Sequence, residues 1–181
     1  MRAVEYISKE KNMKNKLLTW ILVAVLIVST VAFVACVDKP QPTQLTDLKL
    51  PELKDNQMAV IIKNGDNDYT SYTVTLGAGG VNATTAEQVL DYLVENAQLH
   101  LDCAGEGSAK FINSIGKATP DASKGEYVEI FTSNSAFYGD WAGVSEIKVD
   151  NVTFKSAAKG IYELAVVSGD VLYFQISVFS W

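Results

Sequence analysis

The chain carries a single histidine, His100, and two cysteines, Cys36 and Cys103. That inventory narrows the chemistry its side chains can perform. A hydrolytic triad needs a base to activate its nucleophile, and no G-x-S-x-G turn accompanies His100. Flanked by Leu99 and Leu101, this imidazole reads as structural. Zinc sites draw on clusters of Cys and His, and one of each, three residues apart, is not a cluster. Cys103, within Leu99-His100-Leu101-Asp102-Cys103, reads as a small buried apolar residue and not as a reactive thiol.

Carboxylates are plentiful but not convincingly paired. Asn64-Gly65-Asp66-Asn67-Asp68 offers several oxygen ligands for Ca²⁺, which makes a Ca²⁺-dependent binding domain one alternative. It lacks the EF-hand spacing and the bidentate Glu that closes such a loop, so a plain turn is preferred. Gly77-Ala78-Gly79-Gly80 stands before a helix as a phosphate loop does, yet no Walker lysine follows and the G-x-G-x-x-G spacing is absent. The pattern that points to recognition is aromatic. Phe131, Phe137, Tyr138 and Trp141 fall in or near TSNSAFYGDWAGVS, a stretch with many small and polar residues. Amphipathic rings on an irregular segment suit a flat, partly apolar ligand or a partner surface; the competing reading has them closing an open end of the core. No metal ligands and no catalytic residues are assigned.

The elements that must position these residues follow from hydrophobic spacing. Met58 to Lys63 and Tyr69 to Leu76 are β-branched runs around an Asn-Gly break, the signature of a hairpin. Thr84 and Glu87 form a capping box, after which Ala86, Val89, Leu90, Leu93, Val94 and Ala97 line one helical stripe. Further strands are expected at Phe111 to Gly116, Glu126 to Thr132, Glu146 to Val149, Val152 to Phe154, Ile161 to Val167 and Val171 to Phe179. Short strands on one main helix predict an α+β fold with a largely antiparallel or mixed sheet.

The chain has 181 residues, 15 basic and 21 acidic side chains, and a net charge of -6. An acidic balance argues against nucleic acid as a partner, since phosphate binding needs clustered Lys and Arg. Residues 1–35 hold five of the basic and two of the acidic groups, so an acidic body follows a basic, greasy N-terminus. Lys14 and Lys16 precede the apolar run 17–35, as the charged and apolar regions of a secretory signal do. Met13 directly before them suggests an alternative start, with 1–12 an upstream extension or else a short cytoplasmic tail. The run ends in Phe33-Val34-Ala35-Cys36, which resembles the lipobox of bacterial lipoproteins. That resemblance implies lipidation of Cys36 and a membrane partner through the lipid. An uncleaved anchor helix and an ordinary cleaved signal are the alternatives. Each leaves the residues after Cys36 outside, and the lipid would anchor them to the outer face of the bacterial cytoplasmic membrane. Residues 36–57, with Pro40, Pro42 and Pro51, read as a semi-extended spacer, and 58–181 as the folded domain.

The order of segments within that domain is also familiar. A hairpin leads to Thr84-Ala86-Glu87-Val89-Leu90-Asp91-Tyr92-Leu93. Then come Phe111-Ile112-Asn113-Ser114-Ile115-Gly116, Gly125-Glu126-Tyr127, and Ser168-Gly169-Asp170-Val171. Residues 58–178 thereby resemble an uncharacterised bacterial lipoprotein domain family similar to the C-terminal β-domain of transcobalamin and intrinsic factor. The family's usual Trp on the strand after FINSIG is replaced by Val128, and its Asn-Gly turn by the aromatic segment to Trp141. The resemblance implies a β-grasp-like sheet packed on one helix, with cobalamin as a conceivable ligand and no bound cofactor. The helical half of the eukaryotic two-domain clamp is missing. The expected function is therefore a non-enzymatic surface module binding a small ligand or a protein, with a structural or adhesive module as the alternative.

Overall fold

The structure, a computed structural model, describes residues 39–179. The apolar run 17–35 and Cys36 lie outside them. Among the described residues no helix is long and apolar enough to cross a membrane.

Among the described residues nine strands form: β1 (Thr43–Leu45), β2 (Gln57–Gly65), β3 (Asp68–Thr75), β4 (Leu101–Ala104), β5 (Phe111–Ile115), β6 (Glu126–Thr132), β7 (Glu146–Val149), β8 (Val152–Ser156) and β9 (Val171–Val178). One α-helix, α1 (Ala86–Ala97), lies between β3 and β4. Seven strands make one sheet in the order β1-β3-β2-β9-β6-β8-β7, and β4 and β5 pair as a separate hairpin. Only β2 and β9 run parallel; the other pairs are antiparallel.

The expected α+β, β-grasp-like architecture is not what forms. Of the described residues 43% are strand and 15% helical, and the main sheet curls into a half-barrel. The physical reason is visible in β2. Met58, Ala59, Val60, Ile61 and Ile62 are all fully buried, so this strand is covered on both faces. That coverage explains why it reads as a continuous apolar run and not as an alternation. One face packs Met58, Val60 and Ile62 with Leu172 and Phe174 against Ala86, Val89, Leu90 and Leu93 of α1. The other face packs Ala59 and Ile61 with Phe131, Phe154, Val171 and Tyr173. One helix covers only one side, so the sheet must curl and recruit further chain to close the second.

Part of that recruited chain is the expected spacer. β1 pairs with β3, Thr43 opposite Ser71 and Leu45 opposite Tyr69. Leu48, Leu50 and Leu53 then lie half-buried against the second core. Pro40, Pro42 and Pro51 lie outside β1. Between them, however, the leucines have a surface to cover, and the segment wraps the sheet as a belt.

The helix begins one residue later than its capping box suggested. Thr85, not Thr84, is the N-cap, and Gln88 supplies the reciprocal side chain where Glu87 was expected. Its first free amides find partners in a segment expected to be a strand. Ala86 N–H donates to Leu164 O and Glu87 N–H to Ile161 O, while Val166 N–H returns to Thr84 O. Residues 161–167 form turns, in which Glu163 and Leu164 both donate to Gly160 O. Ile161, Leu164 and Val166 are still buried, so the apolar spacing marked core residues and not a strand. Helix-terminal donors need such partners wherever water is excluded. Val94, expected on the apolar stripe, is 40% exposed.

Candidate functional site: a groove at the fork between β6 and β8

β6 pairs with β9 along its whole length, from Glu126 opposite Val178 to Thr132 opposite Leu172. On its other side it meets β8 at only two positions, Phe131 opposite Ser156 and Thr132 opposite Lys155. Beyond Ser156 the chain swings away through Ala157, whose N–H donates to Ile130 O. The two strands therefore fork. A groove of about 260 Å³ opens in the fork, lined by Tyr127, Glu129, Trp141, Ser156, Lys159 and Gly160 among others.

The register decides which groups face it. Gly125 O accepts from Phe179, and Ser133 N–H donates to Val171 O, so odd-numbered residues turn their backbone groups toward β9. Even-numbered residues turn theirs away, as Ile130 O shows. Val128 N–H and C=O thus point into the fork, where no strand among those described pairs with them.

The side chains follow the same alternation. Val128 and Ile130 pack on the helix-side core, while Tyr127, Glu129 and Phe131 project from the opposite face. Glu129 is 7% exposed. Ser156 Oγ donates to its Oε1 and Ser177 Oγ to its Oε2. Gln175 Nε2 in turn donates to Ser177 Oγ, and Tyr173 Oη to Gln175 Oε1. Among the described residues no Lys or Arg is ion-paired with Glu129. Lys159, also on the groove wall, is paired with Glu163 at 3.2 Å.

Two aromatic groups rim the groove. The Tyr127 ring stacks on Phe179 with centroids 4.2 Å apart. Burial, and secondarily the Glu129 charge, push its hydroxyl pKa up. Trp141 is 49% exposed and lies over Gly139, where an added Cβ would come 2.2 Å from its Cζ3. The glycine is what lets the indole settle there. Gly139→Ala should lift the indole off, shifting Trp141 emission to the red. The melting temperature should move by only a few degrees, since the displaced group is a side-chain end with room outside. An unchanged emission spectrum would show that Trp141 rests elsewhere.

Of the four aromatic residues expected to make contacts, only Trp141 lines this groove. Phe131 is fully buried between Tyr173 and the rest of the second core, and a ligand cannot reach it. Its position at the end of β6 looked like the start of a loop, but the strand's alternation carries it inward. Phe137 closes a 3₁₀ turn, Ser135–Phe137, and packs on the first core. Tyr138 is a strut. Its hydroxyl donates to Thr153 O (2.6 Å) and Ser133 O (3.2 Å), and Lys155 Nζ sits 5.7 Å from its ring centre. Glu129, Tyr127 and Lys159 escaped sequence reasoning, because only the register brings them together.

The other chemically suggestive segments are occupied by the fold itself. Asn64 to Asp68 form the β2–β3 turn, with Asn67 at φ +55°. Asn64 Nδ2 donates to Thr70 Oγ1, Asn64 Oδ1 accepts from Lys117 N–H, and Asp68 pairs with Lys117 Nζ at 3.1 Å. Asn64 and Asp68 thus already have partners within the fold, while Asp66 points to solvent 3.9 Å from Lys63 Nζ. Among the described residues no group of three or more His, Cys, Asp or Glu side chains is placed to hold a metal ion. His100 is exposed, with Nε2 3.0 Å from Ser114 Oγ. Cys103 is half-buried against the first core, and burial raises its thiol pKa. Gly77-Ala78-Gly79-Gly80 is a tight turn returning Gly77 N–H to Val81 O. A further recess of about 300 Å³ lies at the seam of β1, Lys49–Glu52 and β3; it has no aromatic wall, and the belt itself is one side of it.

No family model and no curated protein matches the chain. Among solved structures it is similar to a chain from Ruminococcus gnavus ATCC 29149 described as a "putative metal binding protein". The TM-score is 0.46 and the identity 16%, over 70% of this chain and all of that one. A likeness of this degree carries no argument about function.

Proposed function

We propose that the chain is a cell-surface lipoprotein, held at the outer face of the bacterial cytoplasmic membrane through a lipid on Cys36. Its β domain acts as a non-enzymatic binding module. The observation that supports the binding role is the fork groove: an exposed indole and a stacked tyrosine flank a strand edge with free backbone donors and acceptors. Exposed aromatic rings beside unsatisfied backbone groups are the ingredients of recognition.

The size of the groove favours a protein over a free small molecule. At about 260 Å³ the groove falls short of the roughly 300–1,000 Å³ of clefts that enclose a small-molecule ligand. That space accepts a few residues of an extended chain, whereas a corrinoid would expose most of its surface outside it. The partner class is therefore the surface of another protein.

Two measurements test the reading. Cys36→Ser in the producing cell should move the protein from the membrane fraction to the medium and abolish labelling by an alkyne fatty acid. Retention and labelling unchanged would remove the lipoprotein assignment. Titration of the full-length chain in detergent with extended peptides should perturb Trp141 emission, a response that Trp141→Phe loses. A Trp141 response to cobinamide alone would return the ligand to the corrinoid class.

A further inference from the structure

Resting on that reading, we propose that the groove receives an extended basic segment of a partner protein, which adds as a strand to the free edge of β6 and sets a Lys or Arg against Glu129. Three observations converge on this. Val128 presents its N–H and C=O to the fork with no strand beside it, and an unpaired strand edge is the template for strand addition. A strand there would place the residue opposite Glu129 on the same face, with Cβ atoms about 5 Å apart.

Glu129 supplies the charge preference. It is more than nine-tenths buried and lines the groove, and its two oxygens are held only by neutral serine hydroxyls. A buried carboxylate with no cation beside it is costly, and a guanidinium or ammonium is the group that offsets the cost. Lys159 does not fill this role, since Glu163 already holds it. The surroundings agree: residues 39–179 contain ten Lys and eighteen Asp or Glu. A field of that sign draws basic chains in and repels acidic ones.

Among the other edges, β7 is guarded by the exposed Glu146 and Lys148, where Glu146 pairs with both Lys148 and Lys155. Such charges keep a second strand from docking. Among the described residues the fork segment of β6 itself carries no ion pair, the one on the groove wall being Lys159 with Glu163.

The test uses the full-length chain in detergent micelles. The probes are a fluorescein-labelled Thr-Lys-Val-Lys-Val-Lys-Thr peptide, the same peptide with Glu for each Lys, and the basic peptide N-methylated at alternate residues. Anisotropy should show the basic peptide binding at least about tenfold more tightly than its acidic counterpart. N-methylation, which removes the ladder donors while keeping the charge, should abolish binding. Glu129→Gln should cut affinity at least about tenfold, and the methylated probe needs no variant protein at all. Equal affinity for the two charge types, or full binding of the N-methylated peptide, overturns the inference. If cobinamide perturbs Trp141 while neither peptide does, the inference fails and the groove stands as a binding site. If the basic peptide binds with Trp141 silent and methylation without effect, both the inference and the groove fail.

Discussion

Phe131→Ala should destabilise the domain by about 3–5 kcal/mol, the usual cost of emptying a buried aromatic site. Phe131 is 0% exposed and its ring lies 5.7 Å from that of Tyr173, which in turn meets Phe154 edge-on at 6.5 Å. Truncation removes one end of that aromatic row and leaves a cavity under β2, where Ala59 and Ile61 are too small to fill it. With about 2–4 °C lost per kcal/mol in a domain of this size, the melting temperature should fall by about 10 °C. Phe131→Leu, which keeps most of the volume, should lose far less. Thermal denaturation followed by circular dichroism decides it. A variant of native stability with weakened binding would make Phe131 a contact residue after all. The same measurement on Trp141→Ala should give the opposite pattern, since half of that side chain is already in water.

The contrast between those two aromatic residues shows what the sequence could and could not reveal. The β2–β3 hairpin, α1 and strands β5 to β9 were legible, because each carries a β-branched or aromatic run, an alternating pattern or a helical stripe. Phe131 was misread because Ser133, Asn134 and Ser135 follow it at once, and composition gives no sign of where a strand's last inward residue falls. Residues 161–167 were misread for a different reason. Ile161, Leu164 and Val166 are spaced for burial, but their backbone serves the helix N-terminus, a tertiary demand that no local pattern contains.

The groove was less legible still. Glu129 meets Ser156 and Ser177, which are 27 and 48 positions away. In the sequence it is one more carboxylate in an alternating strand. Only the two-residue contact between β6 and β8 opens the fork, and nothing in either strand's composition says where pairing stops. Trp141 was found because an aromatic residue on an irregular segment needs a reason to be there, whatever the fold.

The belt gives the second large expected effect. Replacing Leu48, Leu50 and Leu53 together by Ser should cost about 3 kcal/mol. Each leucine is only half-buried, and full burial of such a side chain contributes about 1.5–3 kcal/mol, so each contributes about 1 kcal/mol. The loss falls on a face whose remaining cover is Tyr69, Ile147, Val149 and Val152. Leu48, Leu50 and Leu53 pack against the cluster of Ala59, Ile61, Phe131, Phe154, Val171 and Tyr173, and uncovering that cluster wets the underside of β2. The β1–β3 ladder adds three residue pairs at the same edge, and these should loosen with the belt. Urea denaturation should therefore show a lower midpoint for the triple variant, while Pro42→Ala, at an exposed position outside β1, should leave the midpoint in place. A triple variant as stable as the parent would mean that residues 46–57 hang free as a spacer. A loss of the expected size would mean that the tether leaving Cys36 is clamped to the sheet from Thr43 onward. Only six residues then separate Cys36, the position proposed to carry the lipid, from the clamped segment, a chain length of about 25 Å at full extension. If the proposed lipid anchor holds, so short a tether restricts the module to partners presented at the membrane surface, and the extended basic segment proposed for β6 should be sought among them.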